Sequence, residues 1–176
     1  MSLVASKDAD RPEPVGDLIE LLQSSLKPLL KEERFNLQME ENWLQLEVPL
    51  DALFTSQQGE LSFKGSKLLS KLAASFRGFE NPINIEVFSD QKANESESPW
   101  LLSATQGAAI VQFLALEDIK MPRLAVVAYG PFQPIATNDD EEGRSLNRRV
   151  LFLIDRRVLK RERIKTVTKQ HLSAKS

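Results

Sequence analysis

The chain has 176 residues, enough for one domain with a hydrophobic core and terminal extensions. Its 23 basic and 25 acidic residues nearly balance, so overall charge gives no reason to expect nucleic acid or an anionic membrane as a partner. The absence of cysteine excludes disulfides and thiol nucleophiles, and the single histidine, His171, lies in a polar tail. We therefore expect a protein that is not an enzyme and that uses no metal or cofactor.

The first half of the chain predicts a helix, a hairpin and a second helix. Residues 1–16 mix charged residues with proline and glycine, which indicates a flexible lead. From Asp17 to about residue 31, leucines recur at helical spacing, although Pro28 disfavours the last turn. This apolar stripe would suit either a partner helix or the protein's own sheet. The stretch "FNLQMEENWLQLEVPL" alternates apolar and polar residues around a polar centre, which predicts two antiparallel strands.

The second half repeats this alternation of helices and strands. A helical stripe lies between Leu61 and Phe76, and "NPINIEVFSD" predicts a strand. Ser98 followed by Pro99 is typical of a helix start, and Gly107 weakens that helix unless close packing requires a residue without a side chain. Two more strands, "RLAVVAYG" and "RVLFLID", flank a long polar connection. The order predicts an α+β fold, a two-layer sandwich with helices on one face of a mixed β-sheet.

Several motifs in this order resemble those of the OmpA-like peptidoglycan-binding domain. The most specific is "YGPFQPIATNDDEEGRSLNRRV", and "LFTSQQGEL", "VFSD" and "SPWLLSATQGAAIV" are weaker matches upstream. Within that family the chain is most similar to the periplasmic part of flagellar stator proteins of the MotB and MotD type. The resemblance divides the chain into a lead (1–16), an N-terminal helix and hairpin (17–49), an OmpA-like domain (50–158) and a basic tail (159–176).

The resemblance implies a binding site for the peptide stem of peptidoglycan, whose diamino acid carries an ammonium and a carboxylate on one carbon. Asp90 corresponds to the residue that accepts the ammonium group, although an aspartate after a strand is often only a turn former. The family places an arginine for the carboxylate where this chain has Gln106. Loss of that charge is expected to weaken binding about tenfold or more. Phe54, Thr55 and Trp100 complete the expected cleft.

The segment before the last strand supplies the remaining candidates. Arg144 is the best functional candidate there, because its guanidinium group could reach a carboxylate. Asn138, Asn147 and Arg148 are either site residues or residues that fasten the preceding loop. Four acids beside three arginines could equally form a salt-bridged loop, in which each exposed pair contributes about 0 to 1 kcal/mol.

Two functions are compatible with these residues. The first is a peptidoglycan-binding module that fixes a membrane protein to the cell wall, in the periplasm, with a membrane anchor and a stator channel partner in the full-length protein and a homodimer as the working state. The second is a degenerate OmpA-like domain that serves only as a dimerisation or protein-interaction scaffold. Between Arg156 and Lys169 the chain has seven basic residues and one acid, which favours a solvated tail over a nucleic-acid site because aromatic residues are missing.

Overall fold

The computed structural model describes residues 15–28, 31, 34–55, 59–91 and 98–157. Helices occupy α1 (Val15–Leu26), α2 (Leu50–Leu53), α3 (Phe63–Phe76), α4 (Pro99–Leu116) and α5 (Glu141–Asn147). Strands occupy β1 (Asn36–Met39), β2 (Trp43–Pro49), β3 (Ile83–Phe88), β4 (Leu124–Gly130) and β5 (Arg149–Asp155). The expected lead and basic tail fall almost entirely outside the described residues.

The strands form one mixed sheet in the order β1-β2-β5-β3-β4. The β3 and β4 strands run parallel, and every other neighbouring pair is antiparallel. The expected hairpin is confirmed, with β1 paired to β2 so that Leu37 lies opposite Leu46. The last strand, β5, lies at the centre of the sheet between β2 and β3.

One face of this sheet carries the hydrophobic core. Alternate residues of β2, β5 and β3 point to that face, and Leu46, Phe152 and Ile85 lie side by side across the three strands. The α3 and α4 helices lie over them, with the Phe76 ring 5.7 Å from the Phe152 ring. The predicted α+β sandwich is therefore confirmed, since period-two alternation in the strands matches the stripes on the helices.

The α1 helix covers part of this domain's own helical layer. Leu22 and Leu26 are buried, and Ser75 on α3 donates a 2.8 Å hydrogen bond to Ser25. The helix ends at Leu26, five residues before the expected end at residue 31, because Pro28 cannot continue it. Of the two alternatives for its apolar stripe, the structure shows packing within the chain, chiefly against α3.

The α4 helix is the element that places the candidate site. It begins as expected, with the Ser98 side chain accepting from the Leu101 N–H and with Pro99 in the first turn. By length and composition alone this 18-residue helix could cross a membrane, but it lies on β3 and β4. Gly107 is the point of closest approach, because a Cβ there would be 2.5 Å from Val126 Cγ1. Close packing therefore requires this glycine.

The polar connection before β5 differs from the expectation. Instead of an irregular loop, its second part forms α5. Asp140 caps the start of this helix, and its side chain accepts a 2.7 Å hydrogen bond from the Gly143 N–H. The helix has seven residues and no apolar periodicity, so its sequence lacks the usual helical signal. Capping and tertiary contacts stabilise it instead.

A second close contact gives a test of the fold. A Cβ added to Gly65, in the first turn of α3, would lie 2.0 Å from the backbone oxygen of Leu53, and backbone atoms cannot move aside as a flexible side chain can. We expect Gly65→Ala to lower the free energy of unfolding by about 1 to 3 kcal/mol in urea denaturation. The neighbouring exposed substitution Lys64→Ala should change it by about 0.5 kcal/mol or less. Equal stability of both variants would contradict this packing.

Candidate functional site

The candidate site lies at one edge of the sheet, where three strands end or begin. Pro49 at the end of β2 and Phe88 at the end of β3 both lie opposite Arg149 at the start of β5. This register brings Asp51, Asp90 and Arg148 together, although Arg148 is 97 residues from Asp51 and 58 from Asp90 along the chain. The sheet therefore assembles the site from distant parts of the sequence.

Arg148 is the centre of this edge and contacts three carboxylates. Its Nη1 donates to Asp90 Oδ2 at 2.9 Å, its Nε and Nη2 donate to the two Asp51 oxygens at 3.0 and 3.1 Å, and its Nη2 donates to Glu141 Oε1 at 2.5 Å. The Asp90 side chain is 2% exposed and that of Arg148 13%. The planar guanidinium group can donate in several directions at once, which a lysine ammonium could not do with the same geometry.

The charges of this cluster shift the pKa values of Arg148 and Glu141. Burial by itself would lower the pKa of Arg148, but hydrogen bonds to Asp51 and Glu141 and the charges of Asp51 and Asp90 raise it above its ordinary value. The hydrogen bond from Arg148 lowers the pKa of the Glu141 carboxyl, and Arg144 adds to that shift. Arg148 and Glu141 are therefore both charged at neutral pH.

A small pocket opens beside Arg148, with a volume of about 160 Å³. Its lining comes from the α2 region, the end of β3, α4 and α5: Leu50, Asp51, Phe54, Thr55, Ser89, Asp90, Leu102, Gln106, Glu141 and Arg148. The structure thus brings together four of the expected site residues, Asp90, Gln106, Phe54 and Thr55. Arg148, which the sequence left as site or loop residue, is the cation among the described residues that line this pocket.

Gln106 projects from α4 and is 4% exposed. Its Oε1 is buried without a hydrogen-bond partner among the residues that the structure describes. A buried polar atom without a hydrogen bond lowers the stability of a fold by about 1 to 3 kcal/mol unless a ligand or water bonds to it. The Oε1 atom of Gln106 is therefore an unused hydrogen-bond acceptor inside the pocket.

Asn147 fastens the loop that precedes α5 and is fully buried. Its Oδ1 accepts from the Ile135 and Ala136 N–H groups, both at 2.9 Å, and its Nδ2 donates to the Ala136 carbonyl and to Asn138 Oδ1. Asn138 Oδ1 also accepts from the Gln91 N–H at 3.1 Å, just after Asp90. The hydrogen bonds of Asn147 and Asn138 therefore hold the loop against the end of β3.

Arg144 and Trp100 lie at the margin rather than in the pocket lining. Arg144 Nε lies 3.9 Å from Asp90 Oδ2, as an ion pair. The hydrogen bonds of Arg144 go to Glu141 and, at 2.9 Å, to the Asn138 carbonyl. The Trp100 side chain is 51% exposed, and its backbone packs against Gly130. Their roles in binding stay predictions, and the contacts place both next to residues that shape the pocket.

Asp51 and Glu141 are pocket residues that the sequence did not single out. Asp51 follows the hairpin directly, and Glu141 belongs to the acidic run of residues 139–142. A charged residue at a strand end resembles a solvated turn, so only the pairing of β2 with β5 identifies Asp51 as a partner of Arg148. In the described ranges, no three His, Cys, Asp or Glu side chains are placed to hold a metal ion, and these carboxylates face arginine instead.

The sequence and the fold match those of known proteins. Residues 53–148, more than half of the chain, match the family model described as the OmpA family. The chain belongs to the OmpA family. The resemblance noted from its motifs is thereby confirmed.

Individual relatives are more distant. A peptidoglycan-associated lipoprotein of Pseudomonas aeruginosa is 26% identical over 97 residues, which are 55% of this chain and 57% of that relative. A MotB-like protein from Desulfovibrio vulgaris has 26% identity and a TM-score of 0.71, covering 81% of this chain and 94% of its own. The cell wall anchor of the T6SS from Pseudomonas aeruginosa, at 21% identity and a TM-score of 0.70, covers 76% and 96% respectively and shares the fold.

The hydrogen bonds of Asn147 give a test of how the site is held. We expect Asn147→Ala to lower the free energy of unfolding by about 2 to 4 kcal/mol, because two backbone N–H groups lose their buried acceptor. Amide exchange of Ile135 and Ala136 should accelerate in the same variant. Leu146→Ala, a truncation of an exposed neighbour, should leave both amides protected. Unchanged exchange in Asn147→Ala would show that another group holds this loop.

Proposed function

We propose that this domain binds the peptide stem of peptidoglycan in the pocket beside Arg148 and thereby fixes a membrane protein to the cell wall. Membership of the OmpA family supports this function, as do relatives described as a peptidoglycan-associated lipoprotein and a cell wall anchor. The observation that carries it is the buried Asp90 carboxylate, held by Arg148 at 2.9 Å in a pocket that also contains the Gln106 Oε1, an acceptor without a partner among the described residues.

The role of Asp90 follows from its surroundings. An ionised carboxylate can accept about four hydrogen bonds, and Arg148 occupies Oδ2. The remaining acceptor sites suit an ammonium group, while the Arg148 charge compensates for the burial of Asp90 before any ligand arrives. The site is therefore suited to holding a charged group in place, and the proposed function involves no chemical reaction.

The proposed function also implies a cellular location and a membrane anchor. Peptidoglycan binding and the envelope relatives support a periplasmic location, and fixation to the wall requires a membrane anchor in the full-length protein, which we place in the inner membrane. A stator-like channel partner and a homodimer complete the proposal. The expected division into a lead, an N-terminal extension, the domain and a basic tail is part of it.

A second function is favoured by a different observation. Val126 and Val127 on the edge strand β4 are 37% and 39% exposed, and β4 contains no charged residue. Such an edge can pair with another chain. If the uncharged Gln106 has removed wall binding, the domain would serve as a dimerisation or protein-interaction scaffold.

Co-sedimentation with purified sacculi separates the two functions. We expect the protein to pellet with insoluble peptidoglycan and Asp90→Asn to reduce the bound fraction about tenfold, because a charge-assisted hydrogen bond to the ligand is lost. Asp118→Asn, at an exposed turn with a positive φ that asparagine tolerates, should bind like the unaltered protein.

The control without sacculi decides the outcome. If the protein pellets to the same extent without sacculi, or if both variants bind equally, wall binding through Asp90 is wrong. A circular dichroism spectrum and a denaturation curve for Asp90→Asn distinguish loss of the ligand contact from loss of the fold, since Arg148 retains Asp51 and Glu141 in that variant.

A further inference from the structure

The charges that line the pocket are unequal. Among the described lining residues, three carboxylates, Asp51, Asp90 and Glu141, face a single guanidinium group, that of Arg148. The Nε, Nη1 and Nη2 atoms of Arg148 all donate to these carboxylates at 2.5 to 3.1 Å. The described lining residues therefore carry more negative than positive charge, and arginines outside the lining neutralise part of it.

The neighbouring cations are also engaged. Arg144 donates to Glu141 at 3.1 and 3.2 Å and to the Asn138 carbonyl. Arg34 lies 3.9 Å from Asp51 and donates to the Ser145 carbonyl. Arg148, Arg144 and Arg34 each have a carboxylate partner, so a ligand carboxylate would have to displace one of these carboxylates to pair with them.

Gln106 provides the remaining contact. Its amide has no net charge, and Oε1 is a buried acceptor without a partner among the described residues. A ligand carboxylate next to this oxygen would bring two acceptors together, close to three like charges. A primary carboxamide would instead donate an N–H to Oε1, and it complements a glutamine amide in either orientation of the two groups.

We propose that the pocket selects a stem diamino acid that carries its ammonium group and a primary carboxamide on the same carbon, rather than an ammonium and a free carboxylate. This inference rests on the proposed function and specifies its ligand. The ammonium group lies at Asp90 and the carboxamide at Gln106. A ligand that offers no donor leaves the buried Gln106 Oε1 unsatisfied and therefore binds more weakly. This difference gives the site its specificity for a carboxamide.

Three synthetic stem peptides test the preference on the full chain by isothermal titration calorimetry. They differ only in the group beside the distal amine, which is a carboxamide, a carboxylate or a hydrogen atom. We expect the carboxamide peptide to bind about tenfold more tightly than the carboxylate peptide. The lining carboxylates repel a ligand carboxylate, and it has no hydrogen to donate to Gln106 Oε1. The carboxamide peptide should also bind several-fold more tightly than the hydrogen peptide, which leaves Gln106 unsatisfied.

A charge placed on α4 should change this order. Gln106→Arg is expected to reverse the preference, so that the carboxylate peptide binds at least about tenfold more tightly than the carboxamide peptide. Gln112→Arg introduces the same charge at an exposed position of the same helix and should keep the original order. The three-peptide order in the unaltered chain decides the question even if Gln106→Arg does not fold.

Each outcome has one meaning. If the unaltered chain binds the carboxylate or the hydrogen peptide as tightly as the carboxamide peptide, while still pelleting with sacculi, the inference is wrong and the proposed function stands. If it binds none of the peptides and does not pellet with sacculi, both are wrong. Pelleting without binding any of the three peptides overturns the inference, because the wall contact then lies outside this diamino acid.

Discussion

The pairing of Arg148 with Asp90 is the interaction on which the site depends. Asp90 is almost completely buried, and removal of one partner of such a pair typically costs about 3 to 5 kcal/mol, because the other charge remains without compensation. The same guanidinium group reaches Asp51 after β2 and Glu141 in α5. One side chain therefore joins the ends of the hairpin, the central strand and the loop, and it fixes the shape of the pocket between them.

The sheet topology makes this pairing possible. Because β5 lies between β2 and β3, the residue that precedes β5 is adjacent to the residues that follow both neighbours. The α4 helix, held close to β3 and β4 at Gly107, then brings Gln106 to the same pocket from above the sheet. The core and the site are consequently not independent, since the packing that buries α4 also sets the position of the binding amide.

The sequence predicted much of this arrangement, but not its electrostatics. Alternation in the hairpin and the Ser98–Pro99 start of α4 are local signals, and both were confirmed. The α5 helix is short, polar and stabilised by Asp140 and Asn147, so no periodic pattern could reveal it. Arg148 was left undecided because its partners Asp51 and Asp90 are far away along the chain, and only the strand register shows that they meet.

Nuclear magnetic resonance on the ¹⁵N-labelled chain tests the central claim most directly, by titration with soluble peptide-stem fragments released from peptidoglycan. We expect the side-chain signals of Arg148 Nε and Gln106 Nε2 and the backbone amide of Asp90 to shift progressively and saturate, because these groups border the pocket. Signals of Tyr129, on the opposite face of the sheet, should stay in place. Saturable shifts at Tyr129 with unchanged signals from Arg148 and Gln106 would contradict the account.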